Sequence, residues 1–166
     1  KDYLEEARIR NIIRTYSDHI SLPIMLATKD GDTQINTGSA LWTRQKKDIT
    51  DEQYKEFYHH VGHVYDEPWL TLHNRAEGKI EYTNLMFIPS SKPFDLMNPD
   101  RKNRLHLYVK RVFITDECDD LMPAYLRFVR GIVDSEDLPL NVSREILQHN
   151  VVVKRIRSAL MRRIFN

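Results

Sequence analysis

Cysteine and glycine are scarce in this 166-residue chain, which has one Cys and 5 Gly. A lone Cys118 excludes an intrachain disulfide and points to a reducing compartment, so a cytoplasmic location is expected. Asp116, Glu117, Asp119 and Asp120 surround it in sequence, and their like charge disfavours the thiolate a nucleophile needs. The few glycines form no phosphate-cradling loop, and neither a G-x-S-x-G elbow nor a Cys/His metal cluster is present. Long hydrophobic runs are missing too. No stretch approaches the ~20 apolar residues of a membrane span, no signal peptide opens the chain, and no membrane partner is expected. Neither sign of charge dominates: a net charge of +1 argues against a domain built mainly to hold nucleic acid.

What is there suits a globular domain: 41% hydrophobic and 30% charged residues, enough chain for one core of ordinary size. Charge is unevenly placed. Arg101-Lys102-Asn103-Arg104 and residues 154–163 are basic, whereas residues 116–120 and 134–137 are acidic. Such runs are usually solvated faces; the alternative is a basic binding module for nucleic acid or acidic partners. The chain begins at Lys1 and stops within a helical pattern, so a longer protein is expected around it.

Residues 2–17 carry Ile9, Ile12, Ile13 and Tyr16 at amphipathic-helix spacing, and residues 20–26 read as a strand. Residues 28–39 are polar and turn-rich, with Asp30-Gly31 and Thr37-Gly38, and read as a linker. Thr50-Asp51-Glu52-Gln53 has the form of a capping box opening a helix with Tyr54, Phe57, Tyr58 and Val61 on one face. His59 and His63 near its end have i, i+4 metal spacing but lack the glutamate of a helical metalloprotease motif, and no metal is expected. Strands are expected over 68–75, 79–89, 105–114 and 129–133, a helix over 121–128, and a final helix with Val153, Ile156, Leu160 and Ile164 as its stripe. The fold class that follows is α/β: a layered α-β-α sandwich around a mixed sheet, with an N-terminal helix-strand arm.

Residues 137–148 break a local rule. Pro139 bars a helix, after which Asn141 or Ser143 can cap a new one. Arg144 then stands at the helix start, where a cation is disfavoured, with Gln148 four residues on along the same face. The two could grip an anion such as a phosphate; the alternative is an exposed arginine paired with Glu145 or Glu136. Were Arg144 to touch a nucleotide phosphate, the rest of the nucleotide site would have to come from elsewhere, as with an arginine finger.

The run over residues 125–148, with its Asp134-Ser135-Glu136-Asp137-Leu138-Pro139-Leu140-Asn141-Val142-Ser143-Arg144-Glu145-Ile146-Leu147-Gln148, closely resembles the middle domain of the heat shock protein 90 family of chaperones. Leu41-Trp42-Thr43-Arg44, Phe87-Ile88-Pro89, Pro93-Phe94-Asp95-Leu96 and residues 107–114 match further, in the family's order, and Tyr16-Ser17-Asp18-His19-Ile20 resembles the end of its N-terminal nucleotide-binding domain.

The resemblance implies an ATP-driven chaperone acting on client proteins, using ATP with Mg2+ and forming a homodimer through a C-terminal domain. It implies residues 1–27 as the tail of the nucleotide-binding domain, 28–39 as linker, and 40–166 as the large α/β subdomain of the middle domain, truncated at its C-terminal end. The short linker resembles the bacterial type. By the same resemblance residues 138–148 form the catalytic loop: Arg144 reaches the γ-phosphate held by the N-terminal domain, Gln148 assists, and Asn141 shares the loop. Trp42 and Phe94 match aromatics that contact the nucleotide-binding domain or client. The ATP pocket is not in this sequence, so the chain alone is expected neither to bind ATP well nor to hydrolyse it.

Overall fold

The computed structural model describes residues 5–93, 97–98 and 104–166. It is a three-layered α/β fold whose middle layer is a five-stranded mixed sheet in the order β3-β4-β7-β5-β6. The strands are β3 (Pro68–Ala76), β4 (Tyr82–Pro89), β5 (Arg104–Val109), β6 (Val112–Thr115) and β7 (Arg130–Ser135), with β5 and β7 parallel and the other neighbours antiparallel. A separate antiparallel hairpin, β1 (Met25–Thr28) and β2 (Gly31–Gln34), precedes it.

Alternation along the central strands explains the two cores. Leu85 and Phe87 face one side of β4 and Met86 the other, all fully buried, as expected of a strand covered on both faces. On the first face α2 (Asp51–Gly62) lays Tyr58 and Val61 against Leu85, Phe87, Tyr108 and Ile132. On the second, α4 (Val151–Phe165) lays Val153, Ile156 and Leu160 against Met86, Leu105, Leu107 and Val133. Helix α2 begins as its sequence demands: the Thr50 hydroxyl accepts from the Gln53 N–H at 3.3 Å, and the Gln53 side chain accepts from the Thr50 N–H at 3.0 Å.

Three expected elements differ. The strand expected over 105–114 is a hairpin, because Lys110 and Arg111 take left-handed φ of 48° and 66° and turn the chain between β5 and β6; no Gly or Asn advertises that turn. The helix expected over 121–128 is two single 3-10 turns, Asp119–Leu121 and Ala124–Leu126, because Pro123 forces Met122 into an extended conformation between them. Residues 28–39 hold β2, so the arm is a helix followed by a hairpin instead of a helix and one strand.

That arm is tied down. Its helix α1 (Glu6–Tyr16) brings Tyr16 to 5.9 Å, ring to ring, from Phe113 of β6. Asn36, 6% exposed, accepts from the Ile24 N–H at 2.8 Å and donates to the Leu22 carbonyl at 2.9 Å, and Asp18 accepts from both the N–H and the hydroxyl of Thr37 at 2.8 Å. Residues 18–24 and 34–37 therefore form one hydrogen-bonded unit closed by the hairpin.

Candidate functional site

The parallel strands β5 and β7 end together, with Val109 opposite Ser135, and the loop carrying Arg144 leaves from that end. Carboxyl ends of parallel strands are where open α/β sheets present their functional loops. The departure is fixed by polar contacts. The Ser135 hydroxyl accepts from the N–H groups of Asp137 and Leu138 at 3.3 and 3.2 Å, and the Asp137 carboxylate accepts from the Glu81 N–H. Leu138 then plugs the core at 2% exposure, while Leu140 beyond Pro139 is exposed.

Residues 140–143 run along the surface, with Asn141 exposed, to α3 (Arg144–Leu147). Of the two cap candidates, Ser143 does the capping: its hydroxyl accepts from the Ile146 N–H at 3.4 Å. Arg144 is thus the first residue of a single helical turn, whose small dipole makes the local penalty on a cation slight. Leu147, 2% exposed, anchors the turn, and Gln148 follows just beyond it, exposed. His149 takes φ 61°, its N–H donates to the Asp120 carboxylate at 2.6 Å, and Asn150 caps α4 by accepting from the N–H groups of Val152 and Val153 at 2.8 and 3.3 Å. A cleft of about 360 Å³ is lined by Glu117, Cys118, Asp119 and Asp120 together with Leu147, Gln148 and His149. The structure thus places Asn141 and Gln148 at exposed positions of one loop pinned at both ends, with the backbone of Arg144 opening the helical turn between them.

Trp42 sits elsewhere, at the junction with the arm, and is 1% exposed. Its indole N–H donates to Asp134 at 2.8 Å, and its ring meets His19 of the arm at 4.7 Å and Tyr108 at 4.9 Å. It faces the arm and the core and offers no open surface to a client. Phe94 lies outside the described residues.

Burial raises the Asp134 carboxyl above the usual carboxylate range; hydrogen bonds from Trp42 and from the Arg111 N–H oppose that rise without cancelling it. His73 joins the same cluster. Its Nε2 lies 2.9 Å from the Trp42 carbonyl, which only accepts, so Nε2 carries the proton and Nδ1 accepts from the Tyr54 hydroxyl at 2.7 Å. Burial lowers its pKa, which keeps the ring neutral. The Cys118 thiol is pushed up to about 11, chiefly by burial, with the neighbouring aspartates a lesser cause. The His59 ring is used by the Asp66 carbonyl at 2.9 Å, and His63 is the left-handed C-cap of α2.

Sequence reasoning missed Asp120, Asp134 and Ser135 as parts of this architecture. Their closeness to the Pro139 loop and the acidic turn hinted at them; Asp120 and Asp134 act through partners distant in sequence, and Ser135 through the nearby N–H groups of Asp137 and Leu138.

The family model described as Hsp90 protein matches residues 28–166. Over 164 residues, 98% of this chain, it is 62% identical to the chaperone protein HtpG of Paramagnetospirillum magneticum. It is 58% identical over 167 residues, all of the chain, to the chaperone protein HtpG of Rhodospirillum rubrum, and 57% identical over 165 residues, 98% of the chain, to that of Rickettsia canadensis. The chain spans about a quarter of the length of these relatives, 26%, 27% and 26% respectively.

Proposed function

The chain belongs to the Hsp90 protein family, and on that premise we propose that it is the middle segment of a bacterial-type, ATP-dependent, cytoplasmic chaperone that assists the folding of client proteins. Residues 1–27 are then the end of the nucleotide-binding domain, 28–39 the linker and 40–166 the large middle subdomain, with homodimerisation through a domain beyond this chain. ATP and Mg2+ bind in the N-terminal domain of the full-length protein. The role of this chain in turnover is to bring Arg144 to the γ-phosphate, where a guanidinium stabilises charge that develops as the phosphoryl group departs. Gln148 assists, and Asn141 shares the loop.

One observation carries the reading: the segment that puts Arg144 at a helix start is also pinned on both sides, by Ser135 and Asp137 before it and by Asp120 and Asn150 after it. Pinning suits a residue that must arrive at a phosphate in a set direction, because misplaced charge contributes little to the transition state. The test is ATP turnover in the full-length protein. Arg144→Ala is expected to lower turnover by about tenfold or more while nucleotide affinity changes little. Unaltered turnover removes Arg144 from the reaction.

Trp42 stands in this reading as an interdomain contact, supported by its ring packing on His19 of the arm. Phe94 stands as a contact of client or nucleotide-binding domain on the family resemblance.

A further inference from the structure

The short helix α3 cannot hold its own direction. A single turn of four residues lies far below the length at which a helix is stable by itself, so its aim is set by what grips its two ends. At its far end the grip is unusual. His149 occupies the left-handed region at φ 61°, where a residue with a Cβ persists only if its surroundings over-determine it, and no glycine relieves the turn. The contact that fixes it is a carboxylate from 29 residues upstream: Asp120 accepts from the His149 N–H at 2.6 Å.

Asp120 is itself well founded. It lies in the 3-10 turn Asp119–Leu121, whose Leu121 is fully buried, and the adjacent Cys118 and Met122 are buried with it in the core that α4 covers. The carboxylate therefore stands on a rigid base, and Asp120 lines the 360 Å³ cleft together with Gln148 and His149. Beyond the hinge, Asn150 restarts the chain as α4, so residues 148–150 are the whole joint between the turn that begins with Arg144 and the core helix.

We propose that Asp120 is a positioning residue of the ATPase reaction: by holding the His149 N–H it locks the left-handed hinge and so sets the direction of the turn that starts with Arg144. This rests on the role proposed above for Arg144. Asp120 touches no reacting atom; its effect on turnover passes through the backbone. A side chain serving only the stability of the acidic turn would leave the hinge amide and the turnover of folded protein unchanged.

The experiment compares three variants of the full-length protein with the parent. Asp120→Ala is expected to lower kcat for ATP hydrolysis by about fivefold to tenfold with ATP affinity unchanged, and to speed hydrogen exchange at the His149 amide. Asp120→Asn keeps an acceptor oxygen and is expected to restore most of the lost turnover. His149→Gly added to Asp120→Ala makes the left-handed hinge free of Cβ strain and is expected to restore part of it. Unchanged kcat in Asp120→Ala beside a loss in Arg144→Ala overturns the positioning role alone; unchanged kcat in both overturns the reading beneath it. An Asp120→Asn variant as slow as Asp120→Ala also overturns the proposal, because charge and not the hydrogen bond would then be the cause.

Discussion

Trp42 and Asp134 lie 92 residues apart in sequence and are joined by a 2.8 Å hydrogen bond from indole N–H to carboxylate, with both side chains almost wholly buried. The other carboxylate oxygen accepts from the Arg111 N–H at 3.2 Å, so one side chain links residue 42, the central strand of the sheet and the β5–β6 turn. Asp134→Ala leaves two N–H groups without this acceptor and is expected to cost about 2–4 kcal/mol, with Asp134→Asn costing less. Urea unfolding followed by tryptophan emission reads this directly in a Trp69→Phe background. The chain has 2 Trp, and Trp69 is 72% exposed, so the signal that remains reports the buried Trp42.

Gly131 is expected to be the least replaceable glycine. It lies in β7 opposite Met86 with φ 129°, and a Cβ there would stand 2.1 Å from the Leu85 carbonyl oxygen and 2.8 Å from the Met86 Cα. Backbone inside a central ladder cannot give way, so Gly131→Ala is expected to cost more than about 4 kcal/mol and to yield little soluble folded protein. Gly78→Ala, at φ 150° with open space around it, is expected to cost only about 1–2 kcal/mol. Soluble yield and thermal midpoint separate the two.

His73 predicts a pH dependence with a definite sign. Burial lowers its folded-state pKa below the unfolded value of about 6.5, so the unfolded chain binds the proton first as pH falls. Its contribution to stability is whole above about pH 6.5 and is lost as pH drops from there toward the folded-state pKa. Urea midpoints at pH 7.5 and 5.5 are expected to differ less in His73→Asn than in the parent, even though the variant is less stable at both.

Helix α2 depends on its capping box. Thr50→Ala removes the acceptor for the Gln53 N–H and is expected to cost about 1 kcal/mol, and Gln53→Ala somewhat less. Double replacement should cost less than the sum, because the two bonds form one reciprocal unit. Chemical denaturation of the two singles and the double checks this.

Where sequence reading succeeded, the cause was local. The capping box and the stripe of Val153, Ile156 and Leu160 both follow from neighbours within a few residues. Where it failed locally, the signal was weak or misread. Lys110 and Arg111 turn left-handed without the residues that advertise such turns, and Pro123 divides the helix expected over 121–128 into two 3-10 turns.

The sequence by itself determined the layered α/β class, the helix-start position of Arg144 and, through long runs of matching residues, the family. Tertiary structure alone decided which distant residue holds the joint beyond that turn. Asp120 is an ordinary polar residue in sequence, and its contact arises only when folding brings its carboxylate to the His149 N–H across 29 residues, whereas Ser135 reaches the N–H groups of Asp137 and Leu138 within its own turn. The physical reason is that backbone geometry and helix caps are short-range effects, written in adjacent residues. The direction of a short surface turn is set by buried anchors and by single hydrogen bonds to distant parts of the chain, and no local pattern encodes those.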